Sequence, residues 1–145
     1  MCIEQKLYEA AIQLIKNRYP KGWGGAAAMY TENDLILTSV APEVVNASTE
    51  LCIETGAILE AHKLNTAITH TICVVRDDEN SPFKILTPCG VCQERLVYWG
   101  KNVKAAVTND KDELIFKTLE ELQPFHWLKA YPEYSDIKEK ELDKK

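Results

Sequence analysis

No stretch of the 145-residue chain approaches the run of about 18 apolar residues that a membrane-spanning helix requires. The amino terminus, Met1-Cys2-Ile3-Glu4-Gln5-Lys6, lacks the apolar core of a secretory leader. Basic residues are in the minority: 17 Lys and Arg stand against 22 Asp and Glu, a formal net charge of −5. A nucleic-acid surface is normally basic, so this balance speaks against a polynucleotide ligand. No internal repeat and no low-complexity linker interrupts the chain, and its length suits one domain with a sizeable core. Five cysteines cannot all pair, and a reducing cytoplasm, the expected location, favours metal ligands over disulfides. A second short-spaced pair of Cys or His, which a closed structural zinc site would need, is missing.

What the sequence does contain centres on Thr87-Pro88-Cys89-Gly90-Val91-Cys92-Gln93-Glu94-Arg95-Leu96. Pro88 suits the entry to a helix, where its absent N–H costs nothing. The spacing predicts a helix over 89–99, with Cys89 and Cys92 on one face of its first turn. There the positive helix end and free N–H groups favour thiolate over thiol, and two thiolates can clamp a soft or borderline metal. A redox reading would place such a pair after the first strand of a βαβ unit, whereas here it follows about the third strand. Upstream, Cys52-Ile53-Glu54 opens a second helical pattern over 51–64, with Leu51, Ala57, Ile58, Ala61 and Leu64 as its apolar side.

The remaining chain reads as alternating elements. Ile3, Leu7, Ala10, Ala11, Leu14 and Ile15 recur at helical steps, which predicts an amphipathic helix over 3–18. Trp23 to Tyr30 reads as a strand of small residues, Thr31 to Asp34 as a turn, and Leu35 to Thr38 as the returning strand. Thr66 to Val75 is a β-branched central strand, in which Cys73 reads as a small core hydrophobe and His70 as structural. His62 reads as an exposed residue late in its helix. Val103 to Val107 and Leu114 to Phe116 flank a tight turn, so they must pair antiparallel; a parallel return needs a dozen or more residues. Residues 1–132 form the expected domain, and the Lys- and Glu-rich residues 133–145 a solvated tail.

The pair C-x-E and P-C-x-x-C, with a gap of 36 residues between Cys52 and Cys89, resembles the three-cysteine form of the zinc deaminase signature. The chain is thereby similar, over roughly residues 5–127, to the cytidine deaminase superfamily, in the branch holding cytidine deaminase and blasticidin-S deaminase. The resemblance implies a three-layer α/β/α sandwich with a mixed five-stranded sheet. It implies Zn²⁺ held by Cys52, Cys89 and Cys92 with one position open to water, and Glu54 as the proton-shuttling carboxylate. It places Trp23 at an aromatic position lining the nucleoside site, and puts Glu43 or Asn46, depending on how the 40–50 loop is aligned, near the sugar hydroxyls. Thr118 to Phe125 is similar to the family's closing segment, which crosses to a neighbouring site; Phe125, His126 and Trp127 would then touch substrate from another subunit of a homotetramer. An antiparallel last strand accompanies free nucleosides in this superfamily, a second reason to expect no nucleic acid. Many three-cysteine cytidine deaminases have Arg directly after the catalytic Glu; here that position is Thr55, as in blasticidin-type enzymes, and Arg95 is a candidate substitute cation.

The expected activity is hydrolytic deamination of cytidine or deoxycytidine. Deamination of blasticidin S stands second. A non-catalytic zinc protein that binds partners stands third, disfavoured because a purely structural site has no use for Glu54.

Overall fold

The structure, a computed structural model, describes residues 1–132; the charged tail expected at 133–145 lies outside the described residues. Helix α1 (Ile3–Arg18) is followed by strands β1 (Gly24–Thr31) and β2 (Ile36–Ser39), helix α2 (Thr55–Leu64) and strand β3 (Ile68–Arg76). Then come β4 (Lys84–Ile85), α3 (Gly90–Leu96), β5 (Lys104–Ala106), β6 (Phe116–Thr118) and α4 (Leu119–Leu122). The sheet runs β2-β1-β3-β5-β6, with β4 also on β3. β3 and β5 are parallel and the other pairings antiparallel, including the expected β5–β6 hairpin.

The sheet has six strands rather than the five expected. β4 is the extra one. Its two residues pair Val74 with Ile85 and Val75 with Lys84, too short a run to show any alternation in sequence. β1 occupies one whole edge of β3, so the opposite edge is shared: β5 pairs at His70 and Thr71, and β4 nearer the end.

Strand alternation divides the core into two layers. Ala26 and Ala28 of β1, with Ile72 and Val74 of β3, meet Leu7, Ala11 and Ile15 of α1. Met29 and Ile68 meet Ala57, Ile58 and Ala61 of α2, and Leu96 of α3. Both helices expected at the cysteines are present on this second face, but α2 begins at Thr55, not at residue 51. The Ile53 carbonyl accepts from Ser39 Oγ at 2.7 Å, which ties the chain ahead of the helix to β2. Leu51 and Leu64 are exposed instead of sharing the apolar side of α2. The helix over 89–99 is α-helical only to Leu96, and Val97–Trp99 tighten into a 3₁₀ turn.

The small residues of β1 let α1 approach closely. A Cβ on Gly24 would stand 2.7 Å from Ile15 Cγ2, whereas one on Gly90 meets nothing within 4 Å. Gly24→Ala is therefore expected to destabilise the fold by about 1–3 kcal/mol, while Gly90→Ala leaves stability nearly unchanged. Urea unfolding of the two variants beside the parent checks the contrast.

Candidate metal and catalytic site

Two short segments carry the chemistry to one point on the α2–α3 face. The first is the turn Cys52–Glu54, closed by Thr55 N–H donating to the Cys52 carbonyl at 3.1 Å. Glu54 then caps α2, its carbonyl accepting from Ile58 N–H at 3.1 Å. The second is the stretch from β4 to α3. Thr87 and Thr108 clasp each other reciprocally, each hydroxyl accepting from the other's backbone N–H at 3.0 and 2.9 Å. Buried Pro88 follows, its carbonyl accepting from Gln93 Nε2 at 2.8 Å. Cys89 caps α3 in extended conformation, and Cys92 sits buried inside its first turn.

The sulfurs of Cys52, Cys89 and Cys92 all lie within 4.8 Å of one another. Those of Cys52 and Cys89 are 3.2 Å apart. Glu54 is 5% exposed. The Cys92 thiol donates to its Oε2 at 3.5 Å.

The thiol electrostatics follow from this crowding. The Cys89 hydrogen bond and burial push the Cys52 thiol above its ordinary range, with the Glu54 charge adding to them. Burial, then the Glu54 charge, pushes Cys92 up strongly. Cys89 goes the other way: burial opposes its ionisation, but backbone N–H groups of Cys92 and Val91 and the neighbouring thiols lower it overall. Three sulfurs and a carboxylate facing one point repel when ionised, and a dication placed there removes the conflict.

The three cysteines fit a metal. Sulfurs about 2.3 Å from a tetrahedral zinc stand about 3.8 Å apart, between the 3.2 Å pair and the 4.8 Å limit seen here. Three donors, all thiols and none a second-site His, leave a fourth position for a small ligand.

The residues expected to contact substrate are more scattered. A Cβ on Gly25 would meet Ile53 Cδ1 and the Trp23 ring together, so Trp23 lies beside the Cys52–Glu54 turn, half exposed. Glu43 pairs with Arg18 at 3.6 Å in an exposed position near the end of α1. Asn46 caps a short 3₁₀ turn, its side-chain oxygen accepting from Ser48 N–H at 3.0 Å. Phe125 and Trp127 stand out on the surface, with Trp127 Nε1 donating to Glu94 at 2.8 Å. Arg95 Nη1 donates to Thr55 Oγ1 at 2.9 Å, bringing a cation to the residue beside Glu54.

Cys73 is buried in the core, as expected. Burial first, then the Glu54 carboxylate, drives its thiol pKa up. His62 is exposed and stacks on Tyr98 and Trp99, and His70 bonds to Thr69 Oγ1 at 2.8 Å; neither belongs to the cluster. Sequence reading missed the Thr87–Thr108 clasp and the Gln93 bond to Pro88. Both join residues whose proximity only the fold creates, and a threonine just ahead of P-C-x-x-C is the one signal that was available.

No family model and no curated protein matches the chain. Solved structures do. The cytidine deaminase from Bacillus anthracis is 58% identical, covering 94% of this chain and 98% of that one, with a TM-score of 0.93. The cytidine deaminases from Mycobacterium leprae (22% identity, 86% and 99% covered, TM-score 0.65) and Burkholderia pseudomallei (18%, 88% and 100%, 0.64) share the fold. The mixed sheet with paired helices over a three-cysteine cluster is thus a cytidine deaminase-like α/β fold. The chain belongs to the cytidine deaminase superfamily.

Because Cys52 and Cys92 hold their protons at neutral pH, metal uptake must displace them. Affinity for Zn²⁺ is expected to rise with pH between 6 and 8, by up to about tenfold per pH unit for each proton displaced. Chelator competition with a pH-indicator readout of proton release measures this. Cys73→Ala should retain metal under conditions where Cys92→Ala loses it.

Proposed function

We propose that the chain is a zinc-dependent hydrolase that deaminates a cytosine nucleoside, cytidine or deoxycytidine, releasing ammonia. One observation carries this: a buried carboxylate, Glu54, faces the three-sulfur cluster within 3.5 Å of Cys92 Sγ. A site that only held the fold together would gain nothing from burying that carboxylate there. The Bacillus anthracis relative, at 58% identity, supports the same reading.

In this reading Cys52, Cys89 and Cys92 hold Zn²⁺, which supplies Lewis acidity and lowers the pKa of water at its open position. Glu54 would take the proton of the attacking water and pass it to the ring nitrogen beside the amine-bearing carbon, then take the second proton from the newly added hydroxyl and give it to the departing amine as the carbonyl forms and the C–N bond breaks. Trp23, beside the Cys52–Glu54 turn, packs on the base. Glu43 or Asn46 meets the sugar; the exposed Arg18 pair that Glu43 gives up is worth little. The protein works as a cytoplasmic homotetramer on a free nucleoside, with no nucleic-acid or membrane partner. Phe125 and Trp127 serve the site of a neighbouring subunit.

Blasticidin S deamination is the second reading. It is favoured by Thr55 in place of Arg after the catalytic Glu, with Arg95 bound to its hydroxyl. Loss of cytosine absorbance, followed in parallel for cytidine, deoxycytidine and blasticidin S, separates the two. No turnover of any of them by fully metal-loaded protein would instead point to a partner-binding role.

Glu54→Gln is expected to retain full zinc occupancy while lowering kcat by at least about 10²-fold. Arg95→Ala is expected to lose zinc more readily and to shift the pH–rate profile. An unchanged profile with unchanged zinc retention removes Arg95 from the site's charge balance.

A further inference from the structure

Phe125 is almost fully exposed, at 95%. The chain on either side of it is nonetheless pinned. Gln123 Nε2 donates to Gln93 Oε1 at 2.7 Å, and Lys129 Nζ donates to the Pro124 carbonyl at 2.7 Å. Just beyond Phe125, Glu94 holds two consecutive residues at once. His126 Nε2 lies 2.9 Å from its Oε2, and Trp127 Nε1 donates to its Oε1 at 2.8 Å. His126 Nδ1 accepts from Leu128 N–H at 3.1 Å, which leaves Nε2 as the nitrogen that carries the proton toward Glu94. A backbone bond from His126 N–H to the Gln123 carbonyl, 3.2 Å, closes the turn. The result is a stiff loop whose tip is a bare aromatic ring.

The side of α3 on which this happens matters. Cys92 and Leu96, one turn apart, are buried and face inward. Glu94 follows Cys92 by two residues, about 200° around the helix, and is exposed. Glu94 therefore holds the loop on the exposed side of α3, turned away from buried Cys92. Meanwhile the rim of that cluster is open and apolar: Trp23, Leu51 and Val91 are about half exposed.

We propose that Glu94 is a positioning residue: by gripping His126 and Trp127 it holds Phe125 out as a preformed aromatic knob for the substrate site of a second copy of this chain. The inference rests on the proposed nucleoside deaminase with sites completed in trans. Glu94 touches no substrate. Its effect is to remove the ordering entropy that a loose loop would lose when its ring entered the neighbouring site.

The test compares Glu94→Ala, Glu94→Gln, Phe125→Ala and the double variant Glu94→Ala/Phe125→Ala as zinc-loaded, full-length enzyme. Cytidine is the substrate, and oligomeric state is checked by sedimentation. Glu94→Ala is expected to raise KM about tenfold with little change in kcat, and to speed amide exchange over 124–128. Glu94→Gln, which keeps one acceptor for the two donors, should fall between it and the parent. The double variant should be no worse than Phe125→Ala alone, because both changes act through one ring. Mixed oligomers of Glu94→Ala with Glu54→Gln subunits should recover a low-KM component, since the catalytically dead subunit still offers an ordered Phe125. If Phe125→Ala leaves KM unchanged, the trans-completed site itself fails, and this proposal with it. If Phe125→Ala raises KM but Glu94→Ala does not, or if their effects add, the trans site stands and the role of Glu94 is overturned.

Discussion

The structure depends on bringing four groups that carry negative charge when ionised together at one point. Cys52, Cys89, Cys92 and Glu54 come from two segments that share no strand, yet the sulfurs fall within 4.8 Å of one another and Glu54 within reach of Cys92. Without a cation, Cys52 and Cys92 hold their protons more tightly than a free thiol. Only a rigid scaffold keeps them converged so that a cation can settle the charge. The backbone ties around them serve that end: Ser39 to Ile53 ahead of α2, the Thr87–Thr108 clasp ahead of α3, and the Gln93 bond onto Pro88. Each lies within a residue or two of a sulfur or of Glu54.

The sheet separates support from chemistry. On one face, Ala26 and Ala28 and the bare Cα of Gly24 allow α1 to seat against β1 and β3 with Leu7, Ala11 and Ile15 fully buried. Among the described residues, that face carries none of the three clustered cysteines. The other face carries α2 and α3, each preceded by a cysteine and each filling the space beneath with apolar side chains: Ala57, Ile58 and Ala61 from one, Leu96 from the other. Buried Arg76, at the far end of β3, donates to the Tyr19 carbonyl at the exit of α1, where the helix leaves acceptors unpaired. The central strand thus braces the support helix at one end, while Cys73, one residue past its midpoint, is buried near Glu54.

How much of this was legible follows from the kind of signal each feature leaves. The metal cluster was legible because C-x-x-C and C-x-E are local patterns, and a helix start turns local spacing into a shared direction. Helix α1 and strand β3 were legible from unbroken periodicity, and the antiparallel β5–β6 hairpin from loop length alone. Element ends were less so. α2 starts three residues after Cys52 because Ser39 holds the Ile53 carbonyl, a contact between distant parts of the sequence. Leu51 and Leu64 fit the helical stripe but lie at its two ends, where they stay exposed. β4 has two residues and so no period to read. The engagement of Asn46 with Ser48 and of Glu43 with Arg18 belongs to loop conformation, which spacing does not encode.

The shared edge of β3 has a consequence for how such a chain can vary. Between Arg76, fastened to Tyr19, and Ile85, whose N–H is held by Asp112 Oδ1 at 3.1 Å, residues 77–82 bulge outward over solvent. Both posts stay fixed whatever spans them. Doubling that span would add only about 0.6 kcal/mol of closure entropy and leave the cysteine geometry untouched. The bulge is the place where insertions can be absorbed, so new surface could be grafted there without disturbing the sulfur cluster.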